Sequence, residues 1–175
     1  MALNESEGFS ILLVDDDPQI MDILNKVARS EFPQCQFIHR TSFESAQAYL
    51  QDTTGWGPRL VLLDIDLKTG KSGLDVLSWL RGHDKYRLLP VVILSVVHEE
   101  EVVRQAYASG ANIFTNKPFS YEEWKAYVNF LRTYWFTTAS TPKLWFDKST
   151  AMLTDEKDGF NGGGHDGSLF YPAGE

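Results

Sequence analysis

Runs of apolar residues that stop abruptly at polar ones set the plan of this chain. Leu60-Val61-Leu62-Leu63 is followed at once by Asp64-Ile65-Asp66, and the Gly55, Gly57 and Pro58 before it and Thr69-Gly70 after it bound it as a strand covered on both faces. Phe9 to Val14 is nearly all apolar and ends in Asp15-Asp16-Asp17-Pro18. Pro90-Val91-Val92-Ile93-Leu94 ends in Ser95, and Ala111 to Thr115 ends in Asn116-Lys117-Pro118-Phe119. Cys35 to Arg40 reads as a further short strand. Between these runs the apolar period becomes helical. Ile20, Ile23, Leu24 and Val27 follow Pro18, whose missing N–H is no loss in a first turn. Thr41 or Ser42 caps a helix carrying Phe43, Ala46, Ala48, Tyr49 and Leu50, and Leu74, Val76, Leu77 and Leu80 mark a third. Glu99 to Ser109 has an acidic first turn and Gly110 as its stop, and Ser120-Tyr121-Glu122-Glu123 is a capping box opening the last long helix.

Strands alternating with helices predict an α/β fold: a doubly wound five-stranded parallel sheet with five helices, joined by right-handed crossovers. The length of 175 residues suits one domain with some extra, and 43% hydrophobic and 23% charged residues are ordinary for a globular protein. The net charge of -8 argues against a sequence-independent grip on nucleic acid, and no direct nucleic-acid contact is expected. No run approaches the ~18 apolar residues of a membrane span, and Met1 to Gly8 lacks the basic start of a signal peptide, so no membrane association is expected either. Cys35 is the only cysteine, which excludes an internal disulfide and a cysteine-based zinc site and fits a cytoplasmic location.

Ligands of open parallel sheets bind outside the carboxyl ends of the strands. Four of the five expected strands end there in a group that handles phosphate or metal: Asp15 and Asp16, then Asp64, Ser95 and Lys117. Each has a plain structural reading, since the aspartates and Ser95 can cap helices or turns and Lys117 can be a solvated loop charge. Their convergence points elsewhere, because crowded carboxylates repel and are tolerated mainly where a cation neutralises them. Oxygen ligands without His or Cys suit Mg2+. Asp64 is then an oxygen nucleophile towards a phosphoryl group whose oxygens Lys117 and Ser95 hold.

Asp15-Asp16, Asp64, Ser95 and Lys117-Pro118, in that order and at those strand ends, resemble the receiver domain of bacterial response regulators over roughly Phe9 to Thr137. The resemblance implies the flavodoxin-like strand order 2-1-3-4-5 and assigns Asp64 as phosphoacceptor. It implies Mg2+ held by Asp15, Asp16, Asp64 and the backbone carbonyl of Asp66. It makes Ser95 the switch hydroxyl, Phe114 the switch aromatic and Lys117 the phosphate-pairing lysine, with a cis bond between Lys117 and Pro118. A permanently buried core aromatic is the other reading of Phe114. The implied donor is a phosphohistidine on a sensor histidine kinase or phosphotransfer protein. The chain assists its own phosphotransfer and dephosphorylation rather than acting as an enzyme, and the surface of the fourth helix, fifth strand and last helix rearranges. Lys68 stands where the family usually has Pro, the loop to Gly73 looks one residue longer, and Val96 replaces a small residue. With Asp66 and Val97 at positions that tune dephosphorylation in the family, an atypical phosphoryl lifetime is expected.

In the last helix Trp124, Val128, Leu131 and Trp135 form one stripe, and Tyr127, Phe130 and Tyr134 a second beside it. Two stripes exceed the ~100° needed to face a core, so the second is expected to meet a partner, such as a second copy in a homodimer, unless Leu144-Trp145-Phe146 folds back over it. The resulting plan is an N-terminal tail at 1–8, a receiver domain at 9–137, and an irregular C-terminal extension at 138–175 expected to be partly disordered. His165 beside Asp166 in a Gly-rich stretch is not read as a metal site. The function expected is that of a stand-alone response regulator in a phosphorelay, with a narrower similarity to the small receivers of phytochrome-type kinases. Two alternatives remain. A haloacid-dehalogenase-type phosphatase shares the Asp64-Ile65-Asp66 pattern but places its metal-binding Asp pair after the lysine, whereas a phosphorylation-independent interaction module would leave the filled site unused.

Overall fold

Strands buried on both faces need helices on both sides, and the chain supplies them in alternation. The computed structural model describes residues 8–97 and 99–147. Its strands are β1 (Phe9–Val14), β2 (Cys35–Arg40), β3 (Gly55–Trp56), β4 (Leu60–Leu63), β5 (Val91–Ser95), β6 (Ile113–Asn116) and β7 (Trp145–Phe146), and its α-helices are α1 (Pro18–Glu31), α2 (Phe43–Asp52), α3 (Gly73–Gly82), α4 (Glu100–Ala108) and α5 (Tyr121–Leu131). The main sheet has five strands in the order β2-β1-β4-β5-β6, and every pair is parallel. With the two-residue β3 left out of the count, this is the expected doubly wound order 2-1-3-4-5.

The period of two along each strand divides the core into two layers. Leu12, Val14, Val61, Leu63, Val91 and Ile93 meet Phe43, Ala46 and Leu50 of α2, Val76, Leu77 and Leu80 of α3, and Ala106 of α4. Ile11, Leu13, Leu60, Leu62, Val92 and Leu94 meet Ile20, Leu24 and Val27 of α1 and Trp124, Val128 and Leu131 of α5. Val14, Leu63, Ile93 and Phe114 stand in one row across four strands. The polar residues just beyond that row therefore emerge side by side along one edge.

Capping sorts the acidic run after β1. Asp17 is the N-cap of α1, its carboxylate accepting from the Gln19 N–H at 2.9 Å, with Pro18 opening the helix. Asp15 and Asp16 are left for the edge of the sheet. Ser42, Ser72 and Ser120 each cap their helices through reciprocal capping boxes.

Three features differ from expectation. No described peptide bond is cis, so Lys117–Pro118 is trans, the form an X–Pro amide prefers by about 0.5–1 kcal/mol. The last helix, whose apolar stripe was expected to run through Trp135, is α-helical only to Leu131 and becomes π-helical over Arg132–Thr138. There the hydroxyls of Thr137 and Thr138 donate to the carbonyls of Arg132 and Thr133 at 3.2 and 2.7 Å, and hydroxyls that bond back to the main chain compete with the α-helical ladder. Finally, the chain after Ala139 packs against the body as far as Phe146. β7 pairs antiparallel with β3, Leu144 and Phe146 are buried in the layer of α2 and α3, and Phe146 stacks on Tyr86 with ring centroids 5.9 Å apart. Gly57 makes room for this, because a Cβ there would collide with the Phe146 ring. Leu144-Trp145-Phe146 thus folds back on the side of the sheet away from α5 and leaves Phe130 and Tyr134 exposed. The expectations for residues 1–7 and 148–175, His165 included, lie outside the described residues. Among the described residues no helix is long and apolar enough to cross a membrane.

Candidate functional site

The ends of β1, β4 and β6 deliver polar groups to the same place. β1 continues into Asp15, whose carboxylate is fully buried and accepts from the Asp17 N–H at 3.0 Å. Beside it β4 delivers Asp64, whose N–H donates to the Val14 carbonyl at 2.9 Å and whose Oδ1 accepts from the Asp66 N–H at 3.1 Å. The loop returning to α3 presses close behind: a Cβ at Gly73 would collide with the Asp64 carbonyl. β6 delivers Lys117, whose N–H donates to the Ser95 carbonyl at 2.9 Å. Its ammonium lies 2.8 Å from Asp15 Oδ2 and 2.9 Å from Asp64 Oδ2, with the side chain only 12% exposed.

One ligand oxygen from each of Asp15, Asp16 and Asp64 lies within 4.8 Å of the others. Burial raises the Asp15 carboxyl above its ordinary value, against the opposing pull of the Lys117 hydrogen bond and the Asp17 N–H. Burial draws the Lys117 ammonium down, but its hydrogen bonds and charge contacts with Asp15 and Asp64 outweigh this and raise it overall. Lys117 is therefore a fixed cation, and the carboxylates remain short of positive charge. Asp15 Oδ2 is met by Lys117 at 2.8 Å and carries no hydrogen bond beyond that contact, so it keeps lone-pair capacity for a cation. A close set of hard oxygen donors with an under-satisfied buried member fits Mg2+. The Asp66 carboxylate is exposed, and its described contact with the site runs through its N–H.

Ser95 is 1% exposed, and its Oγ accepts from the Val97 N–H at 3.1 Å, so it presently caps the turn after β5. Phe114 is partly buried against the α2–α4 layer. Its N–H, at the edge of the sheet, donates to the hydroxyl of Tyr107 on α4 at 3.2 Å. Thr115 Oγ1 donates to the Ile93 carbonyl at 2.7 Å and lies 3.1 Å from the Tyr127 hydroxyl. Burial pushes the Tyr127 phenol well above its ordinary range, so it stays protonated. Phe130 and Tyr134 stack at 5.8 Å on the exposed side of the same helix. Two contacts here have no local signal in the sequence: Tyr107 to Phe114, and His39 Nε2 to the Asp15 carbonyl at 2.7 Å. Each depends on how neighbouring elements are registered in space.

Comparison with known proteins agrees with this arrangement. A family model described as the response regulator receiver domain matches residues 11–129. The probable methanogenesis regulatory protein FilR2 of Methanothrix harundinacea is 30% identical over 147 residues, covering 80% of this chain and 92% of FilR2. Response regulator Rcp1 of Synechocystis is 26% identical over 136 residues, covering 75% of this chain and 92% of Rcp1. A crystal structure of Mn2+-bound Rcp1 gives a TM-score of 0.67 at 26% identity over 77% of this chain and 99% of that one. The bacteriophytochrome response regulator AtBRR gives 0.58 at 29% identity over 74% and 96%. The chain belongs to the response regulator receiver domains of two-component signalling systems.

Proposed function

We propose that Asp64 accepts a phosphoryl group from a phosphohistidine on a sensor histidine kinase or phosphotransfer protein. The observation that carries this reading is the buried Lys117 ammonium bridging Asp15 and Asp64 at the carboxyl edge of a parallel sheet. A carboxylate oxygen of Asp64 attacks phosphorus, the phosphorus–nitrogen bond breaks, and its electron pair stays on the departing imidazole. Lys117 is placed to follow the charge from the Asp64 carboxylate to the phosphoryl oxygens. Asp15, Asp16, Asp64 and the backbone carbonyl of Asp66 are the groups that would hold Mg2+, which when bound supplies charge neutralisation for the incoming phosphoryl oxygens. That Rcp1 has a Mn2+-bound form supports a divalent cation as a ligand of this chain.

After transfer, the Ser95 hydroxyl leaves the Val97 N–H for a phosphoryl oxygen, and Phe114 turns into the space it vacates. The rearranged surface comprises α4, β6 and α5. Phe130 and Tyr134, exposed and stacked on α5 and its π-helical extension, are the contact proposed for a partner or a second copy. Likeness to AtBRR supports a phytochrome-type kinase as the donor. The phosphatase alternative requires metal-binding aspartates after Lys117, and among the described residues the acidic cluster draws on none.

The test is exposure to a small acyl phosphate with Mg2+, followed by intact mass. The wild type gains about 80 Da, one phosphoryl group, and Asp64→Asn gains nothing. Failure of the wild type to gain mass, or equal gain by both, contradicts the reading.

A further inference from the structure

We propose that His39 is a positioning residue for the cation site, holding the Asp15–Asp16 peptide in the orientation from which both carboxylates reach one ion. The proposal rests on the reading of Asp15, Asp16 and Asp64 as a Mg2+ site. His39 lies near the carboxyl end of the edge strand β2, opposite Leu13 in the parallel register. Its Nε2 is 2.7 Å from the Asp15 main-chain carbonyl oxygen. A carbonyl only accepts, so Nε2 carries the hydrogen, and the bond forms whether or not the ring is charged. The neighbouring Arg40 carbonyl accepts from the Asp15 N–H at 3.0 Å. β2 therefore grips Asp15 on both sides of its Cα.

That grip matters most for the residue after it. The Asp15 carbonyl belongs to the peptide that leads into Asp16, so its direction sets the bearing from which the Asp16 side chain leaves the main chain. The Asp15 side chain is held independently, by Lys117 and the Asp17 N–H. Asp16 is the least buried of the three acidic ligands, and no described hydrogen bond or ion pair holds its carboxylate among the described residues. Its aim is left to the main chain, and His39 fixes the last peptide plane before it. Partners one step removed from a metal are known to change its affinity by about tenfold or more when lost.

The experiment is calorimetric titration of the full chain with Mg2+ for wild type, His39→Ala and His39→Gln. It is paired with thermal unfolding of each in metal-free buffer and with the Mg2+ dependence of phosphorylation by a small acyl phosphate. Loss of the imidazole weakens Mg2+ binding about tenfold. It raises the half-saturating Mg2+ concentration for phosphorylation by more than it lowers the maximal rate. His39→Gln, whose amide N–H reaches the same carbonyl, recovers most of the affinity. Equal Mg2+ affinity in wild type and His39→Ala overturns the proposal and leaves His39 a structural role, read as a lower unfolding midpoint alone. Equal weakening in the Ala and Gln variants overturns it as well. A wild type that binds no Mg2+ overturns instead the metal-site reading beneath it, so the two failures are distinct.

Discussion

At the amino end of the sheet, Arg81 spreads its guanidinium over neutral acceptors. Nε donates to the Gly110 carbonyl at 2.9 Å, Nη1 to those of Arg87 and Leu89 at 3.1 and 2.9 Å, and Nη2 to Asn112 Oδ1 at 3.1 Å. Arg59 reaches Thr141 through Nε and Nη2 at 3.0 and 3.3 Å, and the β3–β7 ribbon with Leu144 and Phe146 covers the flank. At the carboxyl end, three carboxylates share one ammonium and burial holds the Asp15 carboxyl above its ordinary pKa. Removing one partner of a buried charge costs far more than a neutral replacement of both. At the amino end the two guanidiniums are answered by neutral acceptors within the chain. The carboxyl end leaves negative charge unmatched within the cluster, which is what the proposed cation and phosphoryl transfer would use.

Truncating Phe146 to Ala attacks the closed end most severely. The side chain is 2% exposed, and its loss should cost about 3–5 kcal/mol in urea unfolding, while phosphorylation of the molecules still folded persists. At the open end, Lys117→Met strands the carboxylates. In metal-free buffer it should cost about 3 kcal/mol and abolish the mass gain from an acyl phosphate, whereas an Arg59→Met variant at the amino end should keep that gain. Asp15→Asn runs the other way: Lys117 keeps Asp64 as its partner, and removing a carboxylate whose charged form burial disfavours should stabilise the metal-free chain at neutral pH. The folded Asp15 carboxyl holds its proton to higher pH than the unfolded one. The wild type therefore loses stability from this group as pH rises through the ordinary carboxylate value to the raised one, and the full deficit stays above it. The advantage of the Asn variant should accordingly fade on acidification, which parallel unfolding curves across pH will show. The smallest effect is expected from Tyr107→Phe. Losing the hydroxyl that caps the Phe114 N–H should speed hydrogen exchange at that amide about fivefold, or about 1 kcal/mol, with global stability little changed.

The contrast also explains what could be read in advance. A strand buried on both faces is a continuous apolar run, and its last residue is where the run breaks. Asp15, Asp64, Ser95 and Lys117 were therefore legible at the strand ends, as was the sheet that sets those ends side by side. The β3–β7 ribbon was not, because two-residue strands carry no period and Leu144-Trp145-Phe146 has no pattern that says which face it will cover. The division of labour among Asp15, Asp16 and Asp17 needed the helix geometry, which assigns capping to Asp17. His39 and Tyr107 act across neighbouring elements, so their partners depend on register in space rather than on spacing along the chain. The π-helical turn reflects threonine hydroxyls bonding five residues back, a choice that side-chain type permits but does not announce.

The most direct test of the open end is to locate the phosphoryl group chemically. The chain is treated with a small acyl phosphate and Mg2+, reduced with borohydride, which converts an aspartyl phosphate to homoserine, and mapped by peptide mass spectrometry. Homoserine is expected at position 64 and unmodified aspartate at 15, 16 and 66. Homoserine at another of these positions, or none at all from a chain that binds Mg2+, would contradict it.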